Sequence, residues 1–120
     1  MSESLTFPKS LRLRTPAEFS AVYASGVFAA DKVLVINFKA NPKQISRMGL
    51  SIPKKTGNSP IRNLWKRHCR EAFRTQQHKL PKGIDFVIRP RKGASPNAEA
   101  IKKSLTKLLV QGQRKLEKLR

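Results

Sequence analysis

The side chains that could carry acid–base or nucleophilic chemistry are few and widely spaced. Cleavage of RNA without a metal needs an acid and a base, and the two histidines, His68 and His78, could supply them. The single cysteine, Cys69, falls on the apolar side of a predicted helix, so we interpret it as a core residue. The seven carboxylates are scattered, whereas a metal-dependent nuclease clusters them around its ions. We therefore predict no catalysis by this chain alone, with a two-histidine ribonuclease as the alternative.

The chemistry that the residues do favour is binding to a polyanion. Residues 54–71 begin as a basic loop that contains a glycine and continue as a helix with two unlike faces. At about 100° per residue, the apolar face is predicted to contain Ile61, Leu64, Trp65, Cys69 and Ala72. The opposite face contains Arg62, Asn63, Lys66, Arg67, Arg70 and Arg74. Like charges three and four residues apart repel each other, so this face predicts contact with nucleic acid.

The composition extends this interpretation to the whole chain. Lysine and arginine number 26 against seven acidic residues, which gives a formal charge of +19 over 120 residues. Such a charge attracts nucleic acid or an anionic membrane. No apolar stretch could span a bilayer, no signal-peptide pattern opens the sequence, and a lone cysteine fits a reducing compartment. We therefore expect a cytoplasmic protein with no membrane partner, folded as one RNA-binding domain over residues 1–120.

The elements that must position the basic residues begin with a short helix. Residues 1–14 are expected to form an irregular arm. Residues 15–18 read as a capping box with proline at the first helical position, which predicts a helix of about three turns that ends near Gly26. Phe19 and Tyr23 lie four residues apart on it. They are either core residues or a platform on which unpaired bases stack, and Tyr23 is the better candidate for exposure.

The rest of the chain predicts strands followed by helices. Residues 33–39 are apolar and β-branched, residues 47–52 are expected to pair back on them as a hairpin, and residues 85–89 form a later strand. The order of elements is then helix, two or three strands, helix, strand, helix. This order predicts an α+β fold in which helices pack on a largely antiparallel sheet.

Two serine–proline pairs are the predicted starts of the later helices. Ser59 precedes Pro60 at the start of the basic helix, and Ser95 precedes Pro96 at the start of the last one. Glycine is a poor helix former, so we expect the last helix to break or fray over residues 112–120.

The central motif resembles the signature of the bacterial ribonuclease P protein subunit. The motif consists of Met48-Gly49-Leu50-Ser51 followed by Lys54, Lys55, Gly57, Asn58, Arg62, Asn63, Lys66, Arg67, Arg70 and Glu71. The start of the chain is similar to the same family through Arg12, Leu13, Glu18, Phe19, Val22, Tyr23 and Gly26. Residues 85–88 fit the family's last strand. The resemblance therefore covers most of the chain.

The resemblance implies a small basic cofactor of a large catalytic RNA. In that family the RNA hydrolyses precursor tRNA to remove its 5′ leader, with magnesium bound mainly by the RNA and not by a dedicated protein site. The implied partners are the ribonuclease P catalytic RNA and the single-stranded leader, with no DNA. The implied fold is an α-β sandwich with a left-handed βαβ crossover, contrary to the usual right-handed rule.

The resemblance also assigns residues to two surfaces. The surface facing the catalytic RNA would contain Lys54, Lys55, Arg62, Asn63, Lys66, Arg67 and Arg70. The leader-binding cleft would contain Phe19, Tyr23, Asn37 and Ser51. The chain departs from the family pattern at Leu64, where a second arginine is usual, so one basic contact is missing. A ribosomal or other structural RNA-binding protein shares the charge and the size and stays an alternative.

Overall fold

The computed structural model describes residues 9–119 and confirms the predicted α+β order. Its helices and strands are α1 (Pro16–Ala24), β1 (Val27–Ala30), β2 (Leu34–Ala40), β3 (Arg47–Leu50), α2 (Ser59–Gln76), β4 (Ile84–Pro90) and α3 (Ala98–Lys118). Short 3₁₀ turns cover Lys9–Leu11 and Lys54–Thr56. Residues 1–8 of the predicted arm and residue 120 of the predicted frayed end lie outside the described residues.

The four strands form one mixed sheet in the order β1-β2-β4-β3. Strand β2 pairs antiparallel with β1 on one side and with β4 on the other. The predicted hairpin of β2 and β3 is therefore wrong, because both edges of β2 are occupied. Strand β3 pairs parallel with β4 instead, so β3, α2 and β4 form a βαβ crossover. The left-handedness of this crossover stays a prediction from the resemblance.

The main core lies between one face of the sheet and the two long helices. Alternate residues of β2 are buried toward it, namely Leu34, Ile36 and Phe38. Trp65 and Cys69 of α2 are fully buried there, which confirms both as core residues. Ile61 and Leu64 are 39% and 37% exposed, so the predicted apolar face was wrong for the first turn of α2. The core covers this helix only from Trp65 onward.

Side-chain caps define where the three helices begin. The capping box of α1 is confirmed, since Thr15 Oγ1 accepts from the Glu18 amide and Glu18 accepts from the Thr15 amide. The cap of α2 is Asn58, whose Oδ1 accepts from the Ile61 amide at 3.1 Å. The cap of α3 is Asn97, not the predicted serine two residues earlier. In both corrected cases an asparagine amide oxygen satisfies a free amide of the first turn.

Helix α3 continues without a break to Lys118, contrary to the expected break at Gly112. Gly112 is buried against the ring of Phe38, and a Cβ atom at this position would overlap three carbons of that ring. The missing side chain lets α3 lie close to β2. The packing gained from this close contact outweighs the low helix propensity of glycine. Only the helix propensity can be read from the local sequence, so the break was predicted there.

Substitution of Gly112 by alanine distinguishes helix propensity from packing against Phe38, because the two change the free energy of unfolding in opposite directions. Helix propensity alone would make Gly112→Ala stabilising by up to about 1 kcal/mol. The overlap with Phe38 makes us expect a loss of about 1–3 kcal/mol in the free energy of unfolding, measured by urea denaturation. Gln111→Ala, at the exposed neighbouring position, is the control and should change stability by less than about 0.5 kcal/mol. Stabilisation by Gly112→Ala would contradict this packing account.

Candidate nucleic-acid interface

Helix α1 covers part of the second face of the sheet. Val22 of α1, Leu13 of the preceding segment and Val87 of β4 form a small cluster that is separate from the main core. The register aligns Phe28, Asn37, Val87 and Gly49 in one row across the four strands. Helix α1 packs against β2 and β4, whereas the exposed ring of Phe28 shows that the β1 end of this row stays open beside it.

An arginine on β3 attaches α1 to the sheet. The Arg47 guanidinium donates to Asp85 of β4 at 3.0 and 2.7 Å and to Glu18 of α1 at 3.0 Å. Glu18 also accepts from the backbone amides of Arg14 and Thr15, and these bonds with the Arg47 charge lower its pKa to about 2. Asp85 and Glu18 in turn raise the pKa of Arg47. This network was not predicted from the sequence, because its members are 29 and 38 residues apart.

The ring of Phe19 lies directly over Gly49. A Cβ atom at Gly49 would come within 2.8 Å of two ring carbons of Phe19, so only glycine leaves room for the ring. Phe19 is half-buried and also borders a cavity of about 210 Å³ that reaches the basic face of α2 through Lys66 and Arg70. The structure therefore brings together residues that the sequence analysis assigned to two separate surfaces.

The remaining predicted cleft residues do not lie at one edge of the sheet, since Asn37 is on β2 beside β1 and Ser51 follows β3 at the opposite edge. Tyr23 is 39% exposed on α1, and Asn37 is half-buried on β2 with its Oδ1 atom buried and without a hydrogen-bond partner among the described residues. Ser51 is half-buried just after β3. Beside Asn37, the ring of Phe28 is 54% exposed, and Lys115 Nζ lies 5.6 Å from its centre.

Phe28 is a candidate that the sequence analysis missed. It lies on β1, a strand of four residues that was not predicted as a separate element. A signal does exist, because β1 alternates buried and exposed residues and the aromatic ring takes an exposed position between two small buried ones. The open face therefore offers two exposed aromatic rings, Phe28 and Tyr23, beside an amide.

The basic face of α2 is exposed along most of its length. Asn63, Arg67 and Arg70 are exposed and Lys66 is half-buried. Arg62 differs from them, since its guanidinium donates to the Gly57 carbonyl and to Ser59 Oγ, both at 3.1 Å. Arg62 thus holds the loop before the helix, whereas Asn63, Arg67 and Arg70 have exposed side chains.

The loop before α2 carries two further predicted residues. Lys54 and Lys55 are exposed in the 3₁₀ turn that precedes Gly57. Lys55 also lines a cavity of about 670 Å³ together with Val35 and Arg89, which pair with each other across β2 and β4. This cavity connects the basic loop to the open face of the sheet.

The residues with catalytic potential do not come together. His68 is half-buried within α2 and His78 is exposed beyond its end, and the eight residues from His68 to the helix end at Gln76 alone rise about 12 Å. Burial raises the pKa of the Cys69 thiol to about 12, which leaves it in the poorly nucleophilic protonated form. Within residues 9–119 no helix is long and apolar enough to cross a membrane. The geometry thus favours binding by surfaces rather than acid–base chemistry.

Comparison with known proteins gives one consistent family. The chain matches the ribonuclease P family model over residues 7–112. It is 38% identical over 116 residues to the ribonuclease P protein component of Petrotoga mobilis, covering 96% of this chain and 98% of the relative. The relative from Photobacterium profundum is also 38% identical, with coverage of 96% and 95%.

Solved structures agree with the sequence comparison. The RNase P protein from Thermotoga maritima superposes with a TM-score of 0.77 at 31% identity, covering 83% of this chain and 96% of that one. The RNase P protein from Staphylococcus aureus gives a TM-score of 0.76 at 28% identity, with coverage of 86% and 95%.

The attachment of α1 predicts a specific acid sensitivity. Because the pKa of Glu18 falls from 4.5 to about 2 on folding, ionised Glu18 stabilises the fold above about pH 4.5, and this contribution is lost as the pH falls toward 2. Glu18→Gln should lower the free energy of unfolding at neutral pH. Between about pH 4.5 and pH 2, the variant should take up about one proton fewer on unfolding than the wild type does.

Urea denaturation at neutral and at acid pH measures both effects. Glu117→Gln removes an exposed carboxylate near the end of α3 and serves as the matched control. Equal pH dependence of the unfolding free energy in the wild type and in Glu18→Gln would show that Glu18 does not help to hold α1.

Proposed function

Given that the chain belongs to the ribonuclease P protein family, we propose that it binds a catalytic RNA and the single-stranded 5′ leader of precursor tRNA. In the resulting ribonucleoprotein the RNA cleaves the precursor, and the protein promotes removal of the leader in the cytoplasm. The observation that carries the proposal is the cavity at which Phe19 meets Lys66 and Arg70. An aromatic surface and a basic surface are contiguous there, as two RNA segments bound side by side require.

The basic face of α2 is the proposed contact with the catalytic RNA. Asn63, Arg67 and Arg70 present amide and guanidinium donors outward, and guanidinium groups bind phosphate with paired hydrogen bonds. Helix α2 is held by Trp65 and Cys69 in the core, so its outward side chains project from a rigid element. A rigid basic helix suits a structured RNA whose phosphates have fixed positions.

The open face of the sheet beside α1 is the proposed leader cleft. An unpaired RNA strand exposes its bases, and aromatic rings bind any base by stacking, worth about 1–3 kcal/mol per base. Phe19, Tyr23 and Phe28 supply such rings. Asn37 lies beside Phe28 in the same row with its side chain half-buried, so the exposed part of that side chain borders the proposed cleft. Ser51 would extend the cleft toward the β3 edge of the sheet.

Leader binding explains how a protein without its own chemistry can promote the reaction. The precursor carries the leader and the mature tRNA does not, so contacts to the leader favour substrate over product by differential affinity. They also hold the scissile bond near the catalytic RNA. The work that we propose for this chain is therefore selection and positioning.

Magnesium ions for the reaction are proposed to be held by the partner RNA. Magnesium prefers carboxylate, phosphate and water oxygens. Within residues 9–119, no three His, Cys, Asp or Glu side chains come together as a possible metal site. Glu18, Asp31 and Asp85 are already engaged by cations. The side chains present do not fit a protein-held magnesium site, so we assign no step of the reaction to one.

The first test of the proposal is reconstitution of precursor-tRNA cleavage at low magnesium. We expect little cleavage by the protein alone, slow cleavage by the catalytic RNA alone and much faster cleavage by the mixture. The double variant His68→Gln with His78→Gln should retain the stimulation. If the protein alone cleaved the precursor, and the double histidine variant lost that cleavage, the protein would instead be a conventional ribonuclease. Binding without any stimulation would leave a structural RNA-binding protein.

Substitutions on the two surfaces should affect different steps. Arg67→Gln with Arg70→Gln removes two phosphate contacts, so assembly with the catalytic RNA should weaken and its log–log salt dependence become shallower by about 1.4–1.8. Tyr23→Ala should leave assembly intact and weaken binding of precursor, but not of mature tRNA, by about 1–3 kcal/mol. Filter binding measures each affinity.

The control for the charge change is Lys43→Gln with Lys79→Gln, which removes two exposed lysines from the connections that follow β2 and α2, outside the basic face. It should change assembly only slightly. If the arginine pair and this lysine pair behaved alike, the basic face of α2 would not be a specific contact. If Tyr23→Ala weakened mature tRNA equally, the leader assignment would be wrong.

A further inference from the structure

A second basic cleft lies away from α2, at the end of the sheet. It is a cavity of about 930 Å³ formed where β1 ends, β2 begins and β4 ends, with α3 as its remaining wall. Five cationic side chains line it: Lys32, Arg91, Lys92, Lys103 and Lys107. They come from three separate parts of the chain, so the cluster is a product of the fold and is not a charge run in the sequence. We call this cavity the α3 cleft.

The one carboxylate in the α3 cleft is fully engaged. Asp31 accepts from the amides of Val33 and Leu34 at 2.8 and 3.0 Å and from Ser104 Oγ at 2.7 Å. It also pairs with Lys107 Nζ at 3.1 Å. Burial opposes its ionisation, but these bonds outweigh burial and lower the pKa of Asp31 to about 2. Asp31 therefore stays charged and closes the β1–β2 turn against α3.

The other four cations have no ion-pair partner among the described residues. Lys32, Arg91, Lys92 and Lys103 are all exposed at the cleft. Charges of one sign that converge on a concave surface repel each other and concentrate a positive potential there. These four cations form no ion pair that would stabilise the fold among the described residues, whereas a bound anion would reduce their mutual repulsion.

The α3 cleft is continuous with the open face of the sheet. The turn of residues 91–93 lines both the α3 cleft and the cavity beside Lys55. That second cavity contains Val35 and Arg89, which lie two residues along their strands from Asn37 and Val87 and on the same face. A basic band therefore runs from the open face, past the turn, to α3.

From this continuity we propose that the α3 cleft binds the phosphodiester backbone of RNA that continues beyond the open face of the sheet. The ligand is a row of phosphates, held by ammonium and guanidinium groups without readout of base sequence. The inference deepens the proposed function and rests on it. Two sources can supply such phosphates: the distal nucleotides of a long leader and a segment of the catalytic RNA.

Charge neutralisation in the assembled ribonucleoprotein tests this inference. Lys32→Gln with Lys103→Gln removes two cations that line the α3 cleft and take no part in the Asp31 network. The matched control is Lys43→Gln with Lys79→Gln, which makes the same change of charge at the opposite end of the sheet. Affinity is measured over a range of salt for the catalytic RNA, for precursor with a short leader and for precursor with a long leader.

We expect the cleft variant to bind the long-leader precursor less tightly, with a log–log salt dependence shallower by about 1.4, and to bind the short-leader precursor normally. A loss in assembly with the catalytic RNA, at equal leader binding, would assign the same phosphate site to that RNA. If the cleft variant matched the control for all three RNAs, the α3 cleft would not be an RNA site.

The result can be separated from the proposed function. Stimulation of cleavage by the wild-type protein tests the proposed function, whereas the cleft is tested only by affinity and salt dependence. Titration of the wild type, the cleft variant and the control with a long single-stranded RNA measures the contribution of the α3 cleft to RNA affinity, even if no stimulation of cleavage occurs. Equal binding by the cleft variant and the control in that titration overturns the inference on its own.

Discussion

The bridge that Arg47 makes between Glu18 and Asp85 is the interaction on which the candidate leader cleft depends. One guanidinium neutralises two carboxylates that would otherwise repel each other, and it does so between a helix and two strands. Loss of one member of such a network destabilises the fold because it leaves the other charges without their partners, and the directional hydrogen bonds favour one docking position over others. Through α1, that position decides where the Phe19 ring lies and which part of the sheet stays open.

The same logic governs the use of acids throughout the described chain. Glu18 and Asp85 hold α1, and Asp31 closes the β1–β2 turn against α3. Glu71 pairs with Arg74 on the turn of α2 that follows the basic face. Most of the described carboxylates therefore form ion pairs and hydrogen bonds within the fold. The outward lysines and arginines far outnumber the exposed acids, so the surface keeps a net positive field, which is what binding to RNA requires.

Two glycines set how closely the layers of the fold approach each other. Gly112 of α3 receives the Phe38 ring on the core face, and Gly49 of β3 receives the Phe19 ring on the other face. In each case the absent side chain is replaced by an aromatic ring that comes from a distant part of the chain. The first contact serves stability, while the second also aims a ring at the cavity that joins α1 to the basic face of α2.

Most local interactions were readable from the sequence, although the caps of α2 and α3 were asparagines and not the predicted serines, and pairings between distant residues were not readable. The capping box of α1, the basic face of α2 and the apolar strands β2 and β4 follow from spacing and composition, and so does the motif that resembles its family. The parallel pairing of β3 depended on which strand edges were already occupied, and the role of Gly112 depended on a ring 74 positions earlier in the sequence, at Phe38. The Arg47 network and the α3 cleft likewise exist only after distant segments meet. Sequence therefore determined the charges and most of the helices and strands, whereas the tertiary structure decided which surfaces they form, because contact partners compete across the whole chain.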